Sequence, residues 1–458
     1  MRLWTSAEIA TATGGTASED FEVSGVTFDS REVGPGDLFL ALKGEASDGH
    51  LFLDQAFGQG AAGAVVHSHP PSHPHILVAD TTAALDALGK AGRARSSAKV
   101  IGVTGSAGKT GTKEALFAAL DRIEPGYAHR SVKSYNNHVG VPLSLSRMPI
   151  TARFGVFEMG MNHAGELAAL TQLVRPHVAI VTTIAPAHMG FFKDESAIAD
   201  AKGEIFAGLE PGGTAIIPYD SPHRDRLIAA AKPYAAQIVT FGLGTGADVH
   251  VLESMRSRAG GTFITARVRD RELSFTLSQP GEHWISNAMA ILAAVQAVGG
   301  DLELAGLALA ELGGLTGRGA RIKVAAGSGE ALIIDESYNA NPASMRATLQ
   351  VLAHETGRKI AVLGEMRELG AHSDVFHAEL SGPIEAAAVD YAILVGEAMT
   401  PLAEALEGRI DFVHVPDATM ARERLEAMLS PGDAVLVKGS NGVRLSTIVA
   451  ALTERAPA

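Results

Sequence analysis

The chain has 458 residues, a length that predicts about three domains. Its 46% hydrophobic and 19% charged residues are typical of a globular protein with sizeable apolar cores. The formal net charge of −13 argues against a general nucleic-acid-binding protein, which needs a basic surface. The chain has no cysteine, which excludes disulfides and thiolate metal sites, and no apolar run reaches the roughly 18–20 residues of a membrane span. The first eight residues show no apolar signal segment, so we expect a cytoplasmic protein.

The first 80 residues mix short strands with turns that contain glycine and proline. Strands are predicted at 23–28, 37–41, 64–66 and 76–78. The segment 67–75 holds four histidines, but its prolines prevent a compact helical set of metal ligands, and we interpret it as a solvated loop. A helix is predicted over 81–97.

The segment 103–113 predicts a phosphate-binding loop. A short apolar strand precedes it and a helix follows it, and the residues between them are Gly105, Ser106, Ala107, Gly108, Lys109, Thr110 and Gly111. Glycines let the backbone wrap around an anion. In a loop of this kind, Lys109 is expected to reach the β- and γ-phosphates, and the Thr110 hydroxyl is expected to bind Mg²⁺. The common spacing places glycine where this chain has Val103. The alternative is a glycine-rich turn without a ligand, and the flanking strand and helix favour the phosphate loop.

Two stretches of alternating strands and helices indicate an α/β protein. Between 98 and 316, strands are predicted at 99–104, 154–158, 178–184 and 214–217, with a small antiparallel addition over 247–278. From 317, strands are predicted at 331–335, 359–363, 391–395, 411–414 and 433–437, as in a doubly wound, Rossmann-like domain. We therefore predict three domains: a small α/β domain over 1–82, a mostly parallel phosphate-loop domain over 83–316 and the doubly wound domain over 317–458.

Polar residues follow two central strands at the sheet edge where parallel sheets bind ligands. Glu158 ends one strand and His188 follows another, and both side chains are chemically suited to hold magnesium. A histidine after a strand is also a common structural hydrogen-bonding residue. Beside a phosphate loop, we favour the metal-binding role for both.

Lys202 lies on the apolar stripe of a predicted helix, between Ile198 and Ile205. An inward lysine needs a partner or a chemical change. From geometry alone we favour a stem that reaches the surface or pairs with Glu195 or Glu204.

Further candidate ligand contacts come from the later part of the chain. Asn287 lies one helical turn from His283, so both can face one ligand. Asp335 ends the first predicted strand of the last domain, and Arg318 lies in the preceding linker, from which a guanidinium can reach a nucleotide. A polar loop follows Asp335 on the ligand-binding edge, with Tyr338, Asn339 and Asn341.

Together these motifs resemble the Mur ligases, the ATP-dependent amide-forming enzymes of peptidoglycan precursor synthesis. The resemblance covers nearly the whole chain. It rests on the segments 29–31, 35–39, 48–50, 104–110, 135–137, 158–160, 187–188, 201–206, 281–287, 317–318, 335–342, 363–370 and 437–440.

The resemblance implies ATP and two Mg²⁺ ions as cofactors. It makes Lys109, Glu158, His188 and Lys202 the catalytic residues, with Thr110, Glu158, His188 and Lys202 at the metals. Lys202 corresponds to a lysine that is carbamylated in the family, and this interpretation replaces the pairing favoured above. Nucleotide contacts are implied for Asn287, Arg318 and Asp335. The first domain is expected to hold a UDP group near Ser30 and Arg31, and further substrate contacts are expected at Asp48, His50, Asn136, Asn137, Tyr338, Asn339 and Asn341.

The activity implied is the addition of D-alanyl-D-alanine to UDP-MurNAc-tripeptide through an acyl phosphate. The third domain is expected to close over the nucleotide and to face the dipeptide. His138 and Asn441 depart from common family residues and bear on substrate contacts. The absence of an Asp-Asn-Pro-Arg motif argues against the sister activity that adds diaminopimelate.

Two alternatives stay open. One is another amide ligase of the superfamily, of the folylpolyglutamate or cyanophycin type, and the other is a nucleotide-dependent switch without ligase activity. We expect small-molecule substrates, no nucleic-acid or membrane partner, and a monomer.

Overall fold

A computed structural model describes residues 2–44, 47–68, 71–187, 189–257 and 261–454. Three main sheets follow one another along the chain, each covered by helices, so the molecule has the predicted three-domain α/β architecture. The first domain also has a small two-stranded sheet. In the described part of the chain, no helix is long and apolar enough to cross a bilayer.

The first domain is built on a five-stranded sheet in the order β2-β7-β6-β5-β4, parallel except for β2. Its strands are β1 (Trp4–Thr5), β2 (Thr16–Ala17), β3 (Glu22–Val23), β4 (Gly25–Thr27), β5 (Asp37–Leu40), β6 (Gly63–Val66) and β7 (His75–Leu77). Its helices are α1 (Ser6–Thr13) and α2 (Leu53–Gly58), and α3 (Thr81–Ala94) spans the predicted domain boundary at residue 82.

The predicted strand 23–28 is wrong as a single element. The strand is interrupted at Ser24, whose N–H donates to the carbonyl oxygen of Gly36 at 2.8 Å. Before Ser24, β3 pairs with β1, and after Ser24, β4 pairs with β5 of the five-stranded sheet. The predicted strand therefore contributes one strand to each of two sheets.

The central domain has a nine-stranded sheet in the order β16-β15-β14-β13-β12-β11-β8-β10-β9. The strands are β8 (Lys99–Thr104), β9 (Ala128–Arg130), β10 (Phe154–Glu158), β11 (Val178–Val181), β12 (Thr214–Pro218), β13 (Gln237–Gly242), β14 (Val249–Arg256), β15 (Thr262–Val268) and β16 (Arg271–Leu277). The helices are α4 (Lys109–Ile123), α5 (Gly140–Ser146), α6 (Glu166–Val174), α7 (Glu195–Gly203), α8 (Arg224–Ala231), α9 (Glu282–Ala297) and α10 (Leu302–Glu311).

Both faces of the parallel part of this sheet are buried. Ile101 and Val103 of β8 face one apolar core with α4 and α9, whereas Val100 faces a second core with α6 and α7. The strands from β9 to β14 pair in parallel, and the antiparallel addition predicted over 247–278 is confirmed in β15 and β16.

The third domain has a six-stranded sheet in the order β17-β18-β22-β19-β20-β21, parallel except for the β17–β18 pair. Its strands are β17 (Ala320–Ala326), β18 (Gly329–Glu336), β19 (Lys359–Gly364), β20 (Tyr391–Val395), β21 (Asp411–Val415) and β22 (Ala434–Lys438). Its helices are α11 (Pro342–Ala353), α12 (Ser373–Ala378), α13 (Ser381–Ala386), α14 (Thr400–Leu406), α15 (Ala418–Met428) and α16 (Ser446–Thr453). Separate apolar cores lie on the two faces, as the doubly wound prediction requires.

The first two domains are joined by close packing of α3 on α5. A Cβ added at Gly89 would lie 2.9 Å from the Cα of Pro142, and one added at Gly92 would overlap the carbonyl oxygen of Leu145. Next to this contact, the Trp4 indole N–H donates to the carbonyl oxygen of Ser146 at 2.8 Å. The two glycines therefore set how closely the helices approach.

We predict that Gly92→Ala lowers the free energy of unfolding by about 1–3 kcal/mol, because the added methyl overpacks a contact with backbone atoms. Gly58→Ala is the matched control, since a Cβ there meets no atom within 4 Å. Urea unfolding of both variants measures the difference. Equal stability of the two would contradict the packing argument.

Candidate active site

The turn from β8 to α4 has the geometry of a phosphate loop. Gly105 and Gly108 have φ values of 150° and 80°, which L-residues rarely adopt. A Cβ at Gly105 would overlap the Thr182 hydroxyl. Val103 is a buried strand residue, so the glycine of the common spacing is not needed for this turn. The loop ends at the N-terminus of α4, where backbone N–H groups favour an anion.

The end of β11 holds this loop. The Thr182 hydroxyl donates to the Ala107 carbonyl oxygen at 2.6 Å, and the Ser106 hydroxyl donates to the Ala185 carbonyl oxygen at 2.9 Å. The strand predicted over 178–184 is shorter and ends at Val181. The Thr182 N–H still donates to Thr104 of β8 at 2.9 Å, and the residues after it turn to the loop. Lys109 folds back along the loop and donates to the Gly105 carbonyl oxygen at 2.7 Å.

Glu158 and Thr110 meet beside the loop. The Thr110 hydroxyl donates to Glu158 Oε2 at 2.8 Å, and the Asn136 amide donates to Oε1 at 2.8 Å. Adjacent oxygen ligands on an octahedral Mg²⁺ with bonds of about 2.0–2.1 Å lie about 3 Å apart. The spacing and the hard oxygen donors of this buried pair therefore fit magnesium. No cluster of three acidic or histidine ligands occurs in the part of the chain that the structure describes, and His188 lies outside it.

Lys202 is 1% exposed on α7, inside the core as its position on the apolar stripe predicts. Burial, together with the nearby charge of Lys109, lowers the pKa of Lys202 well below its usual value. Glu204 accepts backbone N–H groups at Gly165 and Ala168. Glu195 lies 3.3 Å from the ring of His223. The predicted pairing of Lys202 with either carboxylate is therefore wrong, and among the described residues Lys202 forms no ion pair.

A cavity of about 600 Å³ lies between the central and third domains. The central domain lines it with the phosphate loop and α9, and the third domain lines it with the start of α11 and the end of β22. The Asn341 amide donates to the Ser106 carbonyl oxygen at 3.1 Å, which joins the third domain directly to the phosphate loop.

The cavity carries several buried charges. Arg318 places its guanidinium 4.2 Å from the centre of the Tyr338 ring and donates to the Ser134 hydroxyl at 3.3 Å. Burial lowers the pKa of Lys438 and raises the pKa of Glu336, and the two charged ends lie 3.7 Å apart. Burial lowers the pKa of His283 to about 4, so this imidazole is neutral at neutral pH. The cavity therefore offers three cationic side chains to a polyanion, namely Lys109, Arg318 and Lys438.

Models of one family match most of the chain. They are described as Mur ligase family catalytic domain over 22–107, Mur ligase middle domain over 103–295, and Mur ligase glutamate ligase domain over 320–441. The relatives from Escherichia coli and Bacillus subtilis are both named UDP-N-acetylmuramoyl-tripeptide--D-alanyl-D-alanine ligase. Each is 35% identical to this chain, and each alignment covers 95% of this chain. The alignments cover 95% of the Escherichia coli protein and 94% of the Bacillus subtilis protein. The chain belongs to the Mur ligase family.

Solved Mur ligase structures share the whole architecture. A crystal structure of MurF from Acinetobacter baumannii has a TM-score of 0.85 at 33% identity and covers 99% of both chains. MurF from Thermotoga maritima, in complex with ADP, has a TM-score of 0.78 at 27% identity and covers 94% of this chain and 98% of its own. The similarity therefore includes all three domains.

Many of the residues that the sequence predicted as nucleotide, metal or substrate contacts of this Mur ligase line the interdomain cavity. These are Ser106, Ala107, Gly108, Lys109, Thr110, Gly111, Asn136, Glu158, Asn287, Arg318, Tyr338, Asn339 and Asn341. Gly105 does not line the cavity, and its carbonyl oxygen accepts the Lys109 side chain. Asn137 does not reach the cavity, because its side chain accepts the N–H groups of Val139 and Gly140 at the start of α5.

Asp335 does not line the cavity either. Its carboxylate accepts the N–H of Gly317 at 2.7 Å and both the N–H and the hydroxyl of Ser337. Glu336, one residue later, is the carboxylate that lines the cavity. The predicted strand 331–335 stops one residue too early, and neighbouring strand residues point to opposite faces.

The predicted first-domain residues form local contacts. His50 Nδ1 lies 2.7 Å from Asp48, and its Nε2 accepts the N–H of His67, so Nδ1 carries the proton. Ser30 donates to Gln55, and Arg31 pairs with Asp29 at the surface.

The solvated-loop prediction for 67–75 is only partly correct. The His67 ring packs edge-on against His50 at 4.3 Å, and the His73 ring stacks on Phe57 at 4.3 Å. His69 lies outside the described residues.

The sequence reasoning missed Ser134, Trp284 and Lys438 as cavity-lining residues. Lys438 is the last residue of β22, so the rule that polar residues at strand ends bind ligands would have found it. Trp284 has a structural reason for its place, since a Cβ at Gly111 would lie 2.9 Å from its ring. No pattern in the sequence marks Ser134.

We predict that Glu158→Gln weakens binding of ATP in the presence of Mg²⁺ by at least tenfold, because the amide keeps the shape but loses the charge that a divalent cation requires. Calorimetric titration with ATP, with and without Mg²⁺, measures the effect, which is expected only with the metal. Glu204→Gln is the control, as that carboxylate caps backbone groups of α6. Unchanged MgATP affinity in Glu158→Gln would rule out this carboxylate as a metal ligand.

Proposed function

We propose that this Mur ligase uses ATP to add D-alanyl-D-alanine to UDP-MurNAc-tripeptide, with an acyl phosphate as the intermediate. The observation that carries the proposal is the similarity to relatives of that name over 95% of the chain. A phosphate loop that faces a second domain across one cavity supports it independently.

The reaction begins with attack of the tripeptide carboxylate on the γ-phosphorus of ATP. A carboxylate oxygen forms the new bond to phosphorus, and ADP leaves. We assign to Lys109 and Arg318, which line the cavity, the neutralisation of charge on the transferring group, and to the loop N–H groups its orientation. Mg²⁺ bound at Thr110 and Glu158 would neutralise the β- and γ-phosphate oxygens.

The amine of the dipeptide then attacks the acyl carbon. A C–N bond forms, the C–O bond to phosphate breaks, and the amine loses a proton. We place the dipeptide on the third-domain side of the cavity, near Tyr338, Asn339 and Asn341. Domain contact excludes water, which protects the acyl phosphate from hydrolysis.

Lys202 is proposed to be carbamylated and to help hold a second Mg²⁺ with His188. Its lowered pKa supports this role, because the neutral amine is the form that attacks CO₂. The amine nitrogen bonds to the carbon of CO₂ and releases a proton, so a neutral buried amine becomes an anion near Lys109. The positive charges of Lys109 and of Mg²⁺ would offset the cost of burying this anion.

The first domain is proposed to hold the UDP group near Ser30 and Arg31, with Asp48 and His50 as further substrate contacts. The Arg31 side chain is 81% exposed, which leaves its guanidinium accessible to a phosphate. We further propose that the enzyme acts as a monomer in the cytoplasm, where ATP and UDP-linked precursors are found.

A panel of acceptors tests the function. We predict that ADP release requires both UDP-MurNAc-tripeptide and D-alanyl-D-alanine, and that Lys109→Ala abolishes it while the melting temperature stays close to wild type. Tripeptides ending in lysine and in diaminopimelate should be compared, and glutamate with a folate acceptor is the competing arm. Turnover only with glutamate would indicate another superfamily ligase, and ATP binding without any amine-dependent turnover would indicate a switch.

We predict that Lys202→Met binds ATP but does not turn over, because methionine fills the same space without supplying an anion. Wild-type activity should fall after removal of dissolved CO₂ and recover when bicarbonate is added. Normal turnover by Lys202→Met, or activity indifferent to CO₂, would exclude the carbamate.

A further inference from the structure

The turn that enters the third domain is fixed by one buried carboxylate. Gly317 and Gly319 have φ values of 72° and 91° and lie on either side of Arg318. The Gly317 N–H donates to Asp335 Oδ2 at 2.7 Å, and the Gly319 N–H donates to the Asp335 carbonyl oxygen at 2.8 Å. Both glycines are thus bonded to the same residue.

Both carboxylate oxygens of Asp335 are bonded within this turn. Its Oδ1 accepts the N–H of Ser337 at 3.1 Å and the Ser337 hydroxyl at 2.6 Å, and the residue is 1% exposed. The Tyr338 N–H donates to the Gly317 carbonyl oxygen at 3.1 Å, which closes the turn from the other side. The carboxylate therefore acts on the turn and not on the cavity.

Arg318 is the residue that this turn presents. Its guanidinium lies over the Tyr338 ring and donates to the Ser134 hydroxyl, which is 3.4 Å from the hydroxyl of Thr110 in the phosphate loop. The side chain thus crosses from the third domain to the phosphate loop. Its direction depends on the backbone at 317–319.

We propose that Asp335 is a positioning residue that fixes the turn 317–319 and thereby directs Arg318 onto the bound nucleotide. The inference rests on the proposed nucleotide function of the cavity. It replaces the direct nucleotide contact that the sequence implied for Asp335.

A double-mutant cycle tests the inference by measuring the Kd of the full-length protein for ATP in Mg²⁺. In Asp335→Asn, the amide NH₂ must face the N–H of Gly317 or the N–H of Ser337, so one hydrogen bond of the turn is lost. We expect the Kd to rise about tenfold. Arg318→Ala should raise it at least as much. In the Arg318→Ala background, Asp335→Asn should add less than twofold, because the side chain that it positions is gone.

Two further variants separate positioning from general destabilisation. Gly317→Ala disturbs the same turn without touching the carboxylate, since its Cβ would lie 2.9 Å from Tyr338 Cβ, and it should reproduce the rise in Kd. Asp433→Asn removes another buried carboxylate of this domain, one paired with Arg358 at 2.6 Å. It should lower the melting temperature and leave ATP affinity unchanged.

A nucleotide analogue separates positioning from direct contact. The ratio of affinities for ATP and 2′-deoxy-ATP should be the same in Asp335→Asn and wild type. A changed ratio, additive effects of Asp335→Asn and Arg318→Ala, or wild-type affinity in folded Asp335→Asn would each overturn the inference. Failure of the wild-type protein to bind ATP would instead overturn the proposed function itself.

Discussion

Ser106 is bonded on three sides, and the active site depends on these bonds. Its N–H donates to the Thr183 carbonyl oxygen at 2.8 Å, its hydroxyl donates to Ala185, and its carbonyl oxygen accepts the Asn341 amide. The first two bonds fix the phosphate loop to the central sheet, and the third fixes the third domain to the loop. One residue therefore couples the conformation of the loop to the position of the domain that completes the cavity.

Burial of charge is the second constraint. Lys109, Lys202 and Lys438 all have lowered pKa values because each is taken out of water, and Glu336 has a raised pKa for the same reason. Burying such charged groups lowers the stability of the protein without ligand, and the groups gain favourable partners when a polyanion and metal ions bind. The cavity is thus organised for a bound state, which agrees with the similarity to a family member solved with ADP.

The sequence predicted the parts of the fold that depend on local pattern. The periodicity of apolar residues predicted strands such as β8 and β10 and the inward position of Lys202. The spacing of glycines predicted the turn between β8 and α4. The strands that it missed include β9, β13 and β17, which are short or partly exposed and are held by pairing with other strands. It also misplaced Asp335 and Glu336, because the strand continues to Glu336 and the alternation of side chains along it turns Glu336, and not Asp335, toward the cavity. Contacts across domains, such as Arg318 to Ser134, have no signal in a single sequence.

The central claim is that the phosphate loop presents the γ-phosphoryl group of ATP to a carboxylate of the peptide substrate. Labelling the terminal carboxylate of UDP-MurNAc-tripeptide with oxygen-18 and analysing the released phosphate by mass spectrometry tests this claim most directly. An acyl phosphate intermediate requires that the phosphate carry an oxygen-18 atom after each turnover with D-alanyl-D-alanine. Amide product formed together with unlabelled phosphate would contradict the account.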